Sequence, residues 1–271
     1  MSKYKLLAID MDGTTLNSHK KISPKTSAAI SDLLKRGVHV VASTGRGISE
    51  MSDYRDDFRL MRYAILISGG LVYDFVDNAP VAIHPVDEEI MFKLIDFGLE
   101  ERAMVHLLTL HDSVAREEDI QNMAAFDMSI YFDMFNRICV RVDDFKKYIR
   151  EHPGEVIKVN LYHRDKSSCA KNFERMKNFN LSIAFPEGNN IEATPTGITK
   201  ASGLIELCKF LNIDLAETVA IGDGDNDKEI LQAAGIGAAM GNATDEIKKI
   251  ADFITLDNDH DGVAAVIEKF F

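Results

Sequence analysis

The 271-residue chain has only three cysteines, Cys139, Cys169 and Cys208. They are odd in number and widely spaced, with no CxxC pair. That excludes a disulfide framework and fits reduced thiols in a cytoplasmic protein. No apolar stretch approaches the ~18 residues of a membrane span, so no membrane partner is expected. Met1-Ser2-Lys3 leads straight into a first strand, and no signal peptide is expected. Basic residues are in deficit: 31 Lys and Arg stand against 43 Asp and Glu, a formal net charge of −12. Binding to nucleic acid needs clustered Lys and Arg, so no nucleic-acid partner is expected. Small anionic molecules stay open, because a metal ion and one lysine can invert the local field. The eight histidines show no ligand spacing such as HExxH. There is no internal repeat and no low-complexity segment.

Against these absences stand a hydrophobic content of 46% and a charged content of 27%, ordinary for a soluble globular fold. The length allows one large or two modest domains. The strongest signal is Leu6-Leu7-Ala8-Ile9-Asp10-Met11-Asp12-Gly13-Thr14. The apolar run reads as a buried strand and stops at two aspartates one residue apart. Open α/β sheets bind ligands just past the carboxyl ends of their strands. Paired carboxylates there are costly unless positive charge joins them.

Ser23-Pro24 reads as an N-cap followed by Pro at the first helical position. Ile30, Leu33 and Leu34 share one helical face, and Gly37 closes the helix. Val38–Ala42 and Ala64–Ile67 read as further buried strands, and Leu71–Phe75 with Pro80–Ile83 as a short hairpin. From His84 to Glu187 the character changes. Helices are expected over 87–102, 143–151 and 166–178, with half-buried strands over 137–142 and 156–162. The parallel pattern then returns, with helices over 199–211, 226–234, 244–250 and 262–270 and strands over 218–221, 237–240 and 253–256. The expected fold class is α/β: a doubly wound, Rossmann-like parallel-sheet core over 1–83 and 188–271, with an inserted α+β domain over 84–187.

Four small clusters fall at predicted strand ends or helix starts. They are Asp10/Asp12, Thr44/Gly45/Arg46, Lys200, and Asp223/Asn226/Asp227 within Gly222-Asp-Gly-Asp-Asn-Asp227. Each alone has an ordinary reading as a turn former, a turn, a solvated lysine or an acidic loop. Together they make a site. Asp10 and Asp223 can share a hard divalent cation through oxygen. The Thr44 hydroxyl and backbone N–H groups at Thr44-Gly45 can hold phosphoryl oxygens. Lys200 offers compact positive charge, and Asp10 with Asp12 offers a nucleophile and an acid/base.

These motifs resemble the haloacid dehalogenase superfamily of phosphatases, specifically its Cof-type branch with a C2B-type cap inserted after the third core strand. Asp10-Met-Asp-Gly-Thr14 resembles the first family motif and Ser43-Thr44-Gly45-Arg46 the second. Gly197-Ile-Thr-Lys200 resembles the third and residues 222–227 the fourth. Met240-Gly-Asn-Ala243 and Asp261-Gly-Val-Ala264 resemble late features of the branch. The resemblance implies an aspartyl-phosphate on Asp10, with Asp12 protonating the leaving oxygen and then activating water. It implies phosphate contacts from Met11, Thr44, Gly45, Lys200 and Asn226. Mg²⁺ would be held by Asp10, the Asp12 main-chain carbonyl and Asp223, with Arg46 and Asp227 in support. The implied partner is a small, sugar-like phosphate ester, covered by a closing cap, in a monomer or weak homodimer.

Two departures from the family pattern stand out. Ser68-Gly69-Gly70 replaces Ser-Asn-Gly, removing a polar side chain near the site entrance, and Ala201 replaces the glycine after the lysine. One decoy also appears. Asp257-Asn-Asp259-His-Asp261-Gly262 followed by Glu268 satisfies an EF-hand loop pattern. Here a strand enters, no exiting helix follows, and Val263, Val266, Ile267 and Phe270 share a core-facing stripe, so no calcium site is expected. Met128 and Met134 are expected in the core of the insert. The rival functions are a phosphotransferase or mutase with the same intermediate and, from another class, a phosphorylatable switch such as a receiver domain.

Overall fold

The computed structural model describes residues 3–54, 61–185 and 188–271. Its described residues form two compact units. The first unit carries an eight-stranded sheet in the order β14-β13-β12-β1-β2-β3-β4-β5. Its strands are β1 (Leu6–Ile9), β2 (His39–Ser43), β3 (Tyr63–Leu66), β4 (Leu71–Asp74), β5 (Ala79–Ile83), β12 (Thr218–Gly222), β13 (Ile236–Ala239) and β14 (Phe253–Ile254). β14 through β3 run parallel, and β4 returns antiparallel to β3. β1 lies at the centre, with Ile9 opposite Ala42 on one side and Ile221 on the other. All four β1 side chains are buried, as a strand covered on both faces requires.

Helix α1 (Pro24–Lys35) begins as its sequence specifies: the Ser23 side chain accepts from the Thr26 N–H, with Pro at the first helical position. Gly37 follows with φ +81°. The later helices of this unit are α7 (Lys200–Leu211), α8 (Lys228–Ala233), α9 (Asp245–Ile250) and α10 (Gly262–Phe270). The expected helix over 226–234 is shorter, because a 3₁₀ turn occupies Asp225–Asp227. Asp227 Oδ2 accepts from the N–H groups of Asp223 and Gly224, which draws the preceding loop into that tight turn.

The second unit comprises Arg46–Ser52 and Ile83–Ile198. This division differs from the expected 84–187 at both ends. Residues 46–52 follow the second core strand in sequence, yet they cluster with the insert. β11 (Asn190–Pro195) joins the second sheet through pairing with β9 (Val156–Tyr162) and β10 (Leu181–Ala184). The sheet order is β10-β11-β9-β6-β7-β8, with β6 (Met104–Thr109), β7 (Ser113–Ala115) and β8 (Cys139–Arg141). The pairs are antiparallel except β7 with β8. A helix, Phe132–Ile138, occupies the start of the expected strand 137–142, which begins only at Cys139. One face of the sheet packs Val105, Leu107, Val159, Leu161 and Ile191 into a core with residues of α2 (Glu88–Glu100), α5 (Phe145–Glu151) and α6 (Lys166–Met176). Helices α3 (Glu117–Gln121) and α4 (Phe132–Ile138) complete the unit. Met128 is buried in a second cluster with Phe126 and Phe135, and Met134 packs against it.

Candidate active site

β1 delivers Asp10 to the carboxyl edge of the parallel sheet, where its N–H donates to the Ile221 carbonyl at 3.0 Å. The chain then turns sharply. Thr15 Oγ1 donates to the Asp10 carbonyl at 2.5 Å, and the Leu16 N–H donates to the Met11 carbonyl at 2.8 Å. Met11 is fully buried beneath this turn. Gly13 sits at φ +79°, and a Cβ there would meet Asp223 Oδ2 at 2.3 Å. Only glycine allows the turn to press this closely on the acidic loop.

α7 delivers Lys200. Thr199 caps the helix through a reciprocal pair of hydrogen bonds with Ser202. The Lys200 side chain is fully buried, and its Nζ donates to Asp10 Oδ1 and to Asp227 Oδ1, each at 2.6 Å. Glycines bring the helix in close. Gly203 lies where a Cβ would meet Gly69 Cα at 3.2 Å, and a Cβ on Gly69 would meet the Thr199 carbonyl oxygen at 2.0 Å. Gly69, at φ +96°, follows Ile67 and Ser68, which also hold positive φ. A β-branched residue in that region is strained. The missing side chain at 69 therefore has a packing reason: this helix start occupies its space. Ala201 is buried in the core without difficulty.

Oxygen atoms from Asp10, Asp223 and Asp227 lie within 4.8 Å of one another. Asp223 Oδ1 also accepts from Thr14 Oγ1 at 2.7 Å. Burial pushes the Asp10 carboxyl up, against Lys200, with Asp227 and Asp223 adding to the rise. Asp223 is raised by burial too, opposed by the Thr14 hydrogen bond and reinforced by Asp227. Burial works against the Lys200 ammonium, but Asp10 and Asp227 overcome it and keep it protonated. One ammonium thus faces three carboxylates. A donor set of hard carboxylate oxygens, short of positive charge, fits a small divalent cation such as Mg²⁺. Asp227 accepts from Lys200 through Oδ1 and from the N–H groups of Asp223 and Gly224 through Oδ2.

The other expected residues are placed as follows. Asp12 is half-buried, and its Oδ1 accepts from Lys20 Nζ at 2.8 Å. Thr44 is buried, with its N–H on the Ile65 carbonyl and its own carbonyl accepting from the Ser68 N–H, both at 2.9 Å. Gly45 follows it at the first unit's edge, and Asn226 is exposed on the acidic loop. Arg46 belongs to the second unit, where Nη1 lies 3.9 Å from Met134 Sδ.

Sequence reading passed over Thr14, Lys20 and Asn242. Thr14 and Asn242 lay inside quoted motifs, whereas nothing marked Lys20. Asn242 Nδ2 donates to the Gly13 carbonyl at 2.8 Å, and its Oδ1 accepts from the Asn258 N–H at 3.1 Å. The EF-hand-like loop has a structural occupation. Asp259 Oδ1 accepts from the Ser18 N–H, Asn258 Nδ2 donates to the Leu16 carbonyl, and Asp261 Oδ1 accepts from Ser23 Oγ. Glu268 lies on α10 and pairs with Lys25 at 3.2 Å.

A family profile for haloacid dehalogenase-like hydrolases matches residues 7–267. The chain belongs to that family. As a haloacid dehalogenase-like hydrolase it is similar to named phosphatases. It is 31% identical over 267 residues to the 5-amino-6-(5-phospho-D-ribitylamino)uracil phosphatase YcsE of Bacillus subtilis, covering 98% of this chain and 95% of that protein. A second B. subtilis protein of the same described activity, YitU, is 30% identical over 282 residues, covering 100% and 98%. Among solved structures, a haloacid dehalogenase-like hydrolase from Bacteroides thetaiotaomicron matches with a TM-score of 0.86 and 25% identity, over 99% of this chain and 100% of that one. The chain is accordingly an enzyme of the family's phosphatase type. No helix of the described residues is long and apolar enough to cross a membrane.

Proposed function

We propose that this hydrolase cleaves monoesters of phosphoric acid carried by small, sugar-like molecules, in the cytoplasm, through an aspartyl-phosphate on Asp10. The observation that carries the reading is the buried Lys200 ammonium, 2.6 Å from both Asp10 and Asp227, beside a third carboxylate at Asp223. Asp10 attacks phosphorus and displaces the alcohol. Asp12, held on the exposed side by Lys20, protonates the departing oxygen and then takes a proton from the attacking water. Lys200 steadies charge on the transferring group, and Thr44, Gly45, the Met11 backbone and Asn226 hold its oxygens. Asp10, the Asp12 carbonyl and Asp223 would hold Mg²⁺, which supplies Lewis-acid stabilisation of phosphoryl charge when bound. Arg46 and Asp227 support the arrangement. Ribitylaminouracil phosphates, the substrates in the names of two relatives, belong to the polyol phosphate class favoured here.

The test is release of inorganic phosphate from a panel of phosphorylated metabolites with Mg²⁺. Release to water supports the hydrolase. Transfer to a second sugar without free phosphate would replace it with the phosphotransferase reading, and a long-lived phosphoenzyme without turnover would favour a switch.

A further inference from the structure

The turn after β1, which carries Asp12, is gripped from outside by the loops that follow β13 and β14, all within the first unit. Met240-Gly-Asn-Ala243 follows β13. The Met240 N–H donates to the Gly222 carbonyl and the Gly241 N–H to the Leu256 carbonyl, each at 3.0 Å. A Cβ at Gly241 would meet the Asp257 nitrogen at 2.8 Å, so a side chain there would push the two loops apart.

That close approach gives Asn242 three partners. Its Nδ2 donates to the Gly13 carbonyl at 2.8 Å and lies 3.5 Å from Asp223 Oδ2, and its Oδ1 accepts from the Asn258 N–H at 3.1 Å. Turning the amide around would set its oxygen against two acceptors and its nitrogen against a donor, so the Asn258 N–H fixes which way the amide faces. Asn258 also reaches the far end of the turn. Its Nδ2 donates to the Leu16 carbonyl at 2.9 Å, and beside it Asp259 Oδ1 accepts from the Ser18 N–H at 2.9 Å. The turn is thus held at Gly13, Leu16 and Ser18 by groups 229 to 242 residues further along the chain.

Stability does not account for this arrangement. Asn242 and Asp259 are exposed, so water can take over their hydrogen bonds with little net loss. Water cannot fix a direction. The Gly13 carbonyl belongs to the peptide that leads into Thr14, whose Oγ1 donates to Asp223 Oδ1 at 2.7 Å. Asp223 therefore meets the turn through Thr14 at one oxygen and Asn242 at the other. We infer that Asn242 is a positioning residue, oriented by Asn258, that fixes the Gly13 peptide and with it the placing of Asp12 against Asp223. The inference rests on the phosphatase reading, and it gives the Met240–Ala243 segment and the EF-hand-like loop one shared task.

The experiment compares wild type with Asn242→Ala, Asn242→Asp and Asn258→Ala. Turnover is followed with para-nitrophenyl phosphate, and calorimetry with Mg²⁺ alone reads binding. Asn242→Ala should lower kcat by about 10–100-fold, leave KM within about threefold and weaken Mg²⁺ binding about tenfold. Its melting temperature without metal should stay within about 3 °C of wild type. Asn242→Asp keeps the shape and the acceptor for Asn258 but turns oxygen towards the Gly13 carbonyl, so its kcat should be no better than that of Asn242→Ala. Asn258→Ala keeps the N–H that orients Asn242 and loses only the Leu16 bond, so its loss should be smaller. Wild-type kcat in Asn242→Asp, or wild-type Mg²⁺ binding in Asn242→Ala, would overturn the inference. So would a raised KM at unchanged kcat, which would make Asn242 a substrate contact, or an activity loss matched by loss of folded protein. If wild type releases phosphate from no ester, the phosphatase reading fails and Mg²⁺ binding alone decides the role of Asn242. Wild type that also binds no Mg²⁺ would overturn both.

Discussion

In the first unit three carboxylates converge on one lysine. In the second, Glu50 and Glu192 stand with Lys158 and Arg46, among neutral amides and a histidine. Both clusters are buried and charged, yet their imbalances differ. The first lacks positive charge, which a divalent cation would supply. The second is near charge balance, with two carboxylates beside a lysine and an arginine. The first cluster is also local in sequence at each of its corners, whereas the second is assembled by strand register together with the separate segment 46–52.

The contrast is tested most severely at Asp10. Asp10→Asn is nearly isosteric and should lower phosphate release by about 10⁴-fold or more. It removes a buried charge that crowded its neighbours, so the melting temperature should not fall. Substantial turnover in a verified Asp10→Asn preparation would remove the covalent mechanism. Next comes the metal. Excess chelator should abolish activity and Mg²⁺ restore it, and Asp223→Asn should raise the Mg²⁺ concentration needed by about 100-fold or more. Full activity in chelator would show that the carboxylates have another purpose.

A smaller effect separates the clusters by pH. Burial, with help from Lys158, pushes His106 down to about 3. In the unfolded chain it titrates near 6.5. Below that pH the unfolded state takes up a proton that the fold refuses, so stability present above pH 6.5 is lost progressively as pH falls towards 3. At pH 5 the loss is about 2 kcal/mol. Melting curves of wild type and His106→Gln should therefore converge or cross between pH 7.5 and 5, and parallel curves would contradict a neutral, buried His106. The smallest effect is expected at the EF-hand-like loop. Ca²⁺ should compete at Asp10 and Asp223 and inhibit turnover, and Glu268→Gln should leave that inhibition unchanged. Loss of calcium binding on that change alone would restore the EF-hand reading.

How much could be read in advance follows the same divide. β1, β2, β12 and α7 announce themselves, because a fully buried parallel strand is a continuous apolar run and a helix start carries its own cap at Ser23 or Thr199. Asp10, Thr44, Lys200 and Asp223 were legible because each sits at the end of such an element. β6, β7 and β11 were not resolved individually. His106 interrupts the apolar pattern of β6 and Glu192 that of β11, and partners across the sheet lie up to 54 residues away, as for His106 and Asn160. The place of residues 46–52 in the second unit was invisible, since it depends on tertiary contacts alone. Gly69 read as a missing contact when it is a point of backbone approach, a distinction that only the distance to the Thr199 carbonyl draws.

The central position of β1 also has a consequence in time. Leu6 pairs with His39, which lies near it in sequence, but its other neighbour is Thr218. The braces on the following turn come later still, from Asn242, Asn258 and Asp259. At translation rates of about 5–20 residues per second, β1 waits roughly 10–40 s with one edge unpaired. Meanwhile nearly all of the second unit, continuous over Ile83–Ile198, emerges and can close its own sheet. Asp10 is thus made well before the partners that fix it in place. During that interval an apolar strand edge is available to other nascent chains, and β1 is a part of the fold in need of protection.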